Sequence, residues 1–391
     1  MLPLALKGVL MRKLIARSIS IILSTTILAL VGCGAPMATS LSLQGNRSGS
    51  YLAKYTFDDA ITALSKIHLE EEKDLLAGLP AIMNSATDEW TQRCIKNLYN
   101  QEVATILPKV DPAMDEAIGE VSVKVTIQSC PEVTDKPQLV AYLQGVMDQV
   151  SQKAGFPSIK VKLLNRSFPN AFNAGGNTIY LFTGMLSALR SEAELAGIMA
   201  HEAAHAKKRH VLQKFLNLFS AASVMRWVQQ TKNVSVADME MADSYVKSLP
   251  SDMNGDPDFV LSYLQGKVSP AVLATKRFKL NETFAAMSLI RDAENEADAI
   301  AARAVSKAGY DPTALADVFD RLNTSENYDL RFYDHPALGL RVASIRSLVV
   351  NEKLRIGSQG KTRYAQAVSA LKSIPLSASA IPDKALESVC F

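Results

Sequence analysis

The sequence predicts an α+β fold that is mostly helical and carries one small sheet. Three observations predict it. Residues 51–127 and the stretch from Ser191 onward place apolar residues at helical spacing. Only two short runs, Ile159 to Leu163 and Thr178 to Phe182, alternate or concentrate β-branched and aromatic residues as strands do. Their order is helix, strand, strand, helix, which suits helices gathered around a small sheet. With 391 residues, 48% hydrophobic and 21% charged, the chain can fill one large or two modest cores.

At the N-terminus, Lys7, Arg12, Lys13 and Arg17 precede the apolar run Ile19 to Val31 and then Gly32-Cys33. This is a charged region, an apolar stretch too short for a comfortable bilayer span, and a small residue at a cleavage point. Leu30-Val31-Gly32-Cys33 resembles the bacterial lipobox. Residues 1–32 therefore read as a lipoprotein signal peptide and Cys33 as the lipidated new N-terminus, with an uncleaved signal anchor as the alternative. Losing this leader's four positive charges turns the formal net charge of +3 into −1, so the apparent basicity belongs to the signal and nothing suggests nucleic acid. Residues 33–50, rich in Ser, Gly and small residues, read as a flexible tether. Gly34 after the cysteine, by resemblance to sorting signals of cells with two membranes, favours the periplasmic face of the outer membrane. Cys94, Cys130 and Cys390 then remain in a compartment that permits disulfides; one pair and one thiol are expected, with the pairing open.

Residues 51–127 read as an N-terminal helical segment, with apolar faces through Ile61, Leu64, Ile67, Leu75 and Leu76, then Trp90, Cys94, Leu98 and Val103. A second unit spans 128–350, and 351–391 form a C-terminal tail. Within that unit, Pro137 to Ala154 is a helix ended by Gly155 and Pro157. Asn170 to Asn177 is a turn-rich loop between the two strands. The strand containing Thr178 and Tyr180 either offers an edge on which an extended peptide can add through main-chain hydrogen bonds, or is a core strand.

A Ser191-x-x-Glu194 capping box opens the next helix. It carries Leu195, Ile198 and Met199 as a core stripe, then His201-Glu202-Ala203-Ala204-His205. Histidines four apart share a helix face and can bind one zinc ion, while Glu202 can hold a water and take its proton. The alternative is a surface helix with two solvated histidines. Burial argues for the metal, because two imidazoles and a carboxylate without partners would cost several kcal/mol. Val211 to Val228 reads as an amphipathic helix over the cleft, and Ser251 to Pro257 as a loop. A third ligand is sought on Arg291 to Ala301, where Glu294 and Asp298 share a face. Either Glu294 binds metal and Asp298 hydrogen-bonds an imidazole N–H, or both belong to a solvated acidic face.

Taken together, His201-Glu202-x-x-His205, Glu294-x-Glu296-Ala297-Asp298-x-x-Ala301, Ala308-Gly309-Tyr310-Asp311-Pro312 and His335-Pro336 resemble metallopeptidase family 48 over about residues 137–350. This gluzincin group includes the CAAX prenyl endopeptidases and HtpX-type proteases. Asn170-Ala171-Phe172 with Gly175-Gly176 and Thr183-Gly184 resembles its substrate-edge segment, and the layout is nearest its periplasmic lipoprotein members. The resemblance implies a zincin-type fold whose edge strand borders the cleft, with one zinc per chain held by His201, His205 and Glu294. It implies Glu202 as general base, Asp298 and Arg341 supporting the ligands, and Asn170, Phe172, Asn173, Thr178 and Tyr180 along the substrate strand. His335 would lie on a loop near the metal, stabilising the oxyanion, plugging the open coordination position, or doing neither. The function implied is a zinc endopeptidase of the cell envelope acting on extended, misfolded or unassembled proteins, with outer-membrane assembly machinery as a partner. The alternative is a lipid-anchored chaperone for outer-membrane clients. Asn173 in place of alanine, the missing proline before the paired glycines and Asp334 in place of threonine depart from the family pattern. They bear on substrate preference rather than on catalysis.

Overall fold

A computed structural model describes residues 54–83, 87–232, 270–324 and 338–374. The leader with Cys33, the tether, Ser251 to Pro257, His335 and Cys390 lie outside the described residues. Four helices come first: α1 (Phe57–Ala77), α2 (Leu79–Met83), α3 (Asp88–Ile106) and α4 (Met114–Ser129). Thr56 starts α1 with a full capping box, its hydroxyl accepting from the Asp59 amide at 3.1 Å while Asp59 accepts from the Thr56 amide at 2.9 Å. The inward face of α3 is turned from the expected one. Trp90 is 44% exposed, whereas Ile95 and Tyr99 are buried and the polar Thr91 and Glu102 join them. The reason is partnering. The Tyr99 hydroxyl donates to Glu282 at 3.1 Å, and Glu102 accepts from Ser220 at 2.5 Å and meets His68, so polar groups enter the core with bonds already made.

Then follow α5 (Pro137–Ala154), β1 (Lys160–Leu164), β2 (Ala171–Asn173), β3 (Thr178–Phe182) and α6 (Thr183–Ala188). Proline in the first turn and Gly155 at φ 66° in the left-handed region delimit α5 at the expected residues. The sheet order is β1-β3-β2, with β1 parallel and β2 antiparallel to β3. Thr178 and Tyr180 thus lie on the central strand, Tyr180 flanked by both β1 and β2 and Thr178 paired with Lys160 of β1; three residues inside the turn-rich loop supply the edge instead. Alternation sorts the sheet's two faces. Val161, Leu163, Ile179 and Leu181 join α5 in the main core, while Leu164, Phe172, Tyr180 and Phe182 form a second cluster with Cys130. Phe172 stacks on Tyr180 with centroids 4.9 Å apart, so both rings hold the strand pair together. Cys94 lies in a different cluster from Cys130, and the two are not bonded to each other.

The remaining helices are α7 (Glu192–Lys208), α8 (His210–Lys232), α9 (Pro270–Lys307), α10 (Ala314–Thr324), α11 (Leu338–Asn351) and α12 (Lys361–Val368). Ser191 caps α7 by accepting from the Glu194 amide at 3.1 Å, but the Glu194 carboxylate turns to the Arg190 amide and to Arg321 instead of completing the box. Between α7 and α8, Arg209 adopts φ 58° and breaks the helical run. Its guanidinium compensates the left-handed backbone with two 2.8 Å bonds to Asp115 and bonds to the carbonyls of Leu107 and Val110. Past the break, Val211, Leu212, Leu216 and Phe219 pack with Ala60, Leu64, Ala117 and Ile118, each large side chain contributing roughly 1.5–3 kcal/mol of burial. Among the described residues no helix is long and apolar enough to cross a membrane.

Candidate metal centre

The metal motif sits in the middle of α7, a helix whose residues from Glu192 to Ala206 are all buried. Its second half faces α9, and that packing brings Glu294 to the paired histidines. The Nε2 atoms of His201 and His205 are 3.0 Å apart, and each is 3.4 Å from a Glu294 carboxylate oxygen. His201, His205 and Glu294 are 5%, 7% and 2% exposed. These three spacings bear on what the site can hold. The two 3.4 Å contacts use different oxygens of the Glu294 carboxylate, and one donor atom from each of the three residues lies within 4.8 Å of the others, close enough to converge on one ion with bonds of about 2.0–2.1 Å. The donor chemistry fits too, since two facing imidazole nitrogens and a carboxylate repel unless a cation or proton lies between them.

Each histidine is held from behind. His201 Nδ1 is 2.9 Å from Asp298, which Arg341 grips through Nε and Nη2 at 2.7 Å each. Arg341 also lies 3.3 Å from Glu294 and stacks on Phe319, 4.1 Å from its centroid. His205 Nδ1 is 2.9 Å from His210 Nδ1, and His210 Nε2 is 3.1 Å from Glu296, which is paired with Lys208. Burial lowers the His210 pKa, which favours the neutral ring; such a ring accepts from His205 N–H and donates to Glu296, leaving His205 Nε2 a lone pair for a metal. The sequence reading missed His210 and Glu296 in this role. A third histidine five residues past the motif was visible, but the turn at Arg209 that swings it back was not.

Glu202 stands outside the donor triangle and accepts from the Asn173 amide at 2.9 Å. Asn173 ends β2, so the edge strand and Glu202 meet directly. Phe172 is on the same strand with its ring in the sheet cluster, and Asn170 precedes it, its carbonyl accepting from Phe182 at 2.9 Å. The Asn173 side chain bonds Gly175 N, Gly176 O and Thr178 O, locking the glycine turn behind the strand. A cavity of about 370 Å³ opens beside this point, lined by Asn173, Glu202, His205 and Glu294 among others. Burial is the main cause raising the Glu202 pKa to about 7, opposed by the His201 charge and the Asn173 amide.

Without metal, His201 is pushed up to about 10. Burial alone would lower it, but hydrogen bonds and charge from Asp298 and Glu294 override that. A raised histidine pKa stabilises the metal-free chain fully below its ordinary ~6.5 and ceases to do so as pH rises through about 10. Metal must displace this proton. Apparent metal affinity should therefore climb by up to about tenfold per pH unit between pH ~6.5 and ~9, read by competition with a chromophoric chelator. A flat profile would mean the imidazole is already neutral.

An HExxH helix, a carboxylate ligand from a second helix and a short antiparallel edge strand beside the glutamate define the gluzincin class of metallohydrolase site. The chain belongs to peptidase family M48, whose model matches residues 137–349. It is 39% identical over 84 residues to a protease HtpX homolog of Methylibium petroleiphilum, covering 20% of this chain and 29% of that one. A homolog of the same name from Acidiphilium cryptum is 42% identical over 80 residues, covering 19% and 26%. Protease HtpX of Legionella pneumophila is 38% identical over 84 residues, covering 20% and 29%. The chain thus spans less than a third of the length of these relatives.

Proposed function

We propose that this chain is a zinc-dependent endopeptidase of the bacterial cell envelope that cleaves extended segments of misfolded or unassembled proteins. The observation that carries the reading is the convergence of one donor atom each from His201, His205 and Glu294 within 4.8 Å of one another, with Glu202 beside an edge strand. His201, His205 and Glu294 would hold the zinc, which when bound would supply Lewis acidity for activating water and the scissile carbonyl at neutral pH. Glu202 takes a proton from the attacking water and passes it to the leaving amine. The edge near Ala171 to Asn173 aligns the substrate main chain, with the Asn173 amide released from Glu202 as the carboxylate turns to the water. Asp298 and His210 hold the two imidazoles in orientation.

Lipid attachment at Cys33 is the proposed anchor, supported by Leu30-Val31-Gly32-Cys33 after a charged and apolar leader. Tethering through residues 33–50 would hold the cleft at the periplasmic face of the outer membrane, near assembly machinery whose failed clients are extended chains. The test is metal-dependent proteolysis. The purified chain should contain one zinc, degrade an unfolded protein such as reduced casein, lose this activity to a chelator and regain it with zinc. Casein left intact by the zinc-loaded protein would refute the reading.

For His335 the expected outcomes are separable. If its imidazole plugs the open zinc position, His335→Ala raises peptidase activity; if it stabilises the oxyanion, activity falls by roughly 100-fold.

A further inference from the structure

The cleft has a wall that the family match does not include. Asn100 and Val103, both on α3, line the same cavity of about 370 Å³ as Glu202, His205 and Glu294. They lie outside the matched residues 137–349. Three sets of contacts fix α3 and its neighbours against the metal helices. Tyr99 donates to Glu282 at 3.1 Å, Gln92 to Asn281 at 3.0 Å and Lys96 to Ser288 at 2.9 Å, tying α3 to the helix that carries Glu294. Arg209, at the end of the metal helix, clamps Asp115 and the carbonyls of Leu107 and Val110. The third set is steric. A Cβ on Gly119 of α4 would strike the Ala174 carbonyl, and one on Gly175 or Gly176 would strike Asp115 or Glu116, so helix α4 lies directly on the turn behind the edge strand.

Resting on the peptidase reading, we propose that the N-terminal helical segment is the specificity wall of the cleft, with Asn100 and Val103 setting which substrate side chain is accepted beside the metal. The edge strand binds main chain and so tolerates many sequences. Discrimination must come from a surface facing that strand. The wall is chemically neutral at this point: an amide that both donates and accepts, and an apolar branched side chain. Nearby carboxylates of Asp292 and Glu296 are already paired with Lys96 and Lys208, and the lining lysine, Lys214, comes from α8, so the wall itself presents no charge of its own to select an ionic side chain. The substrate class is therefore an extended chain presenting a neutral side chain of moderate size at this subsite.

Charge reversal at one exposed position tests it. Asn100 is exposed, so Asn100→Asp and Asn100→Lys should both fold and bind zinc as the unsubstituted chain does. Each zinc-loaded protein is given peptides that differ at single positions in carrying Lys, Gln or Glu. Peptide affinity is also measured in the Glu202→Gln background, where binding is read without cleavage. Asn100→Asp should shift kcat/KM and affinity about tenfold toward Lys over Glu at one peptide position, and Asn100→Lys should shift them about tenfold the other way. Preferences identical in all three proteins overturn the proposal, as does lost activity with unshifted affinities. If the unsubstituted chain cleaves nothing but the variants still sort peptides by charge, the peptidase reading fails while the wall stands.

Discussion

Glu202→Gln should leave zinc bound at one per chain and lower peptide cleavage by roughly 10³-fold or more, within or beyond the range for loss of a general base. The geometry separates the two readouts. Glu202 is not among the three convergent donors, so the substitution removes no ligand. The glutamine carbonyl can still accept from the Asn173 amide, and the side chain keeps its volume, so the edge strand should stay where it is. What disappears is the capacity to accept a proton at a buried site whose carboxylate is pushed up to about 7. A divalent cation beside it lowers that value again, which leaves the group ionised but basic at neutral pH. Zinc content by elemental analysis and hydrolysis of a quenched peptide measure the two effects. Full zinc with undiminished cleavage would remove Glu202 from the mechanism.

Arg341→Met is expected to cost about 3–5 kcal/mol of stability, because it strands two buried carboxylates at once. Arg341 is 4% exposed, grips Asp298 with two 2.7 Å bonds and lies 3.3 Å from Glu294. Methionine fills much of the same space over Phe319 but supplies no charge. Burial opposes ionisation of Asp298, yet the charge and hydrogen bonds of Arg341 and His201 hold its pKa below the usual 3.8. A lowered carboxylate pKa gives stability that is present above the unfolded value and is lost as pH falls through the folded one. Without Arg341 that depression should shrink, so the acid unfolding midpoint should move to higher pH. Denaturant melts at pH 7 and an acid titration follow both. Adding Asp298→Asn to Arg341→Met should recover part of the loss; a fully additive double variant would show that the two residues are not coupled.

Much of the site could be read from the chain because its chemistry demands particular residue types at fixed helical offsets. His201, Glu202 and His205 need one helix face, and Glu294 with Asp298 need another, so each half is local and legible. Their meeting across more than eighty residues of intervening chain is tertiary; the residues alone left Glu294 as a ligand or as part of a solvated acidic face, and the family resemblance tipped the balance. The rest was hidden for definable reasons. Strand order is a pairing property, so Thr178 and Tyr180 looked like an edge while a three-residue strand lay inside a glycine turn. Residue periodicity in α3 pointed to Trp90 and Leu98 because hydropathy does not register a buried glutamate that has found a serine and a histidine. The break at Arg209 carried no glycine or proline to mark it, since a non-glycine residue took the left-handed backbone at the expense of four compensating bonds.

The candidate metal donors and the groups that support them come from α7, α8, α9 and α11 in that order, with the last of them, Arg341, near the C-terminal end of the described residues. During synthesis from the ribosome, the paired histidines therefore emerge well before the carboxylate and the arginine that complete their surroundings. A chain still being made therefore lacks the groups that complete the surroundings of the paired histidines until the stretch through Arg341 has been released.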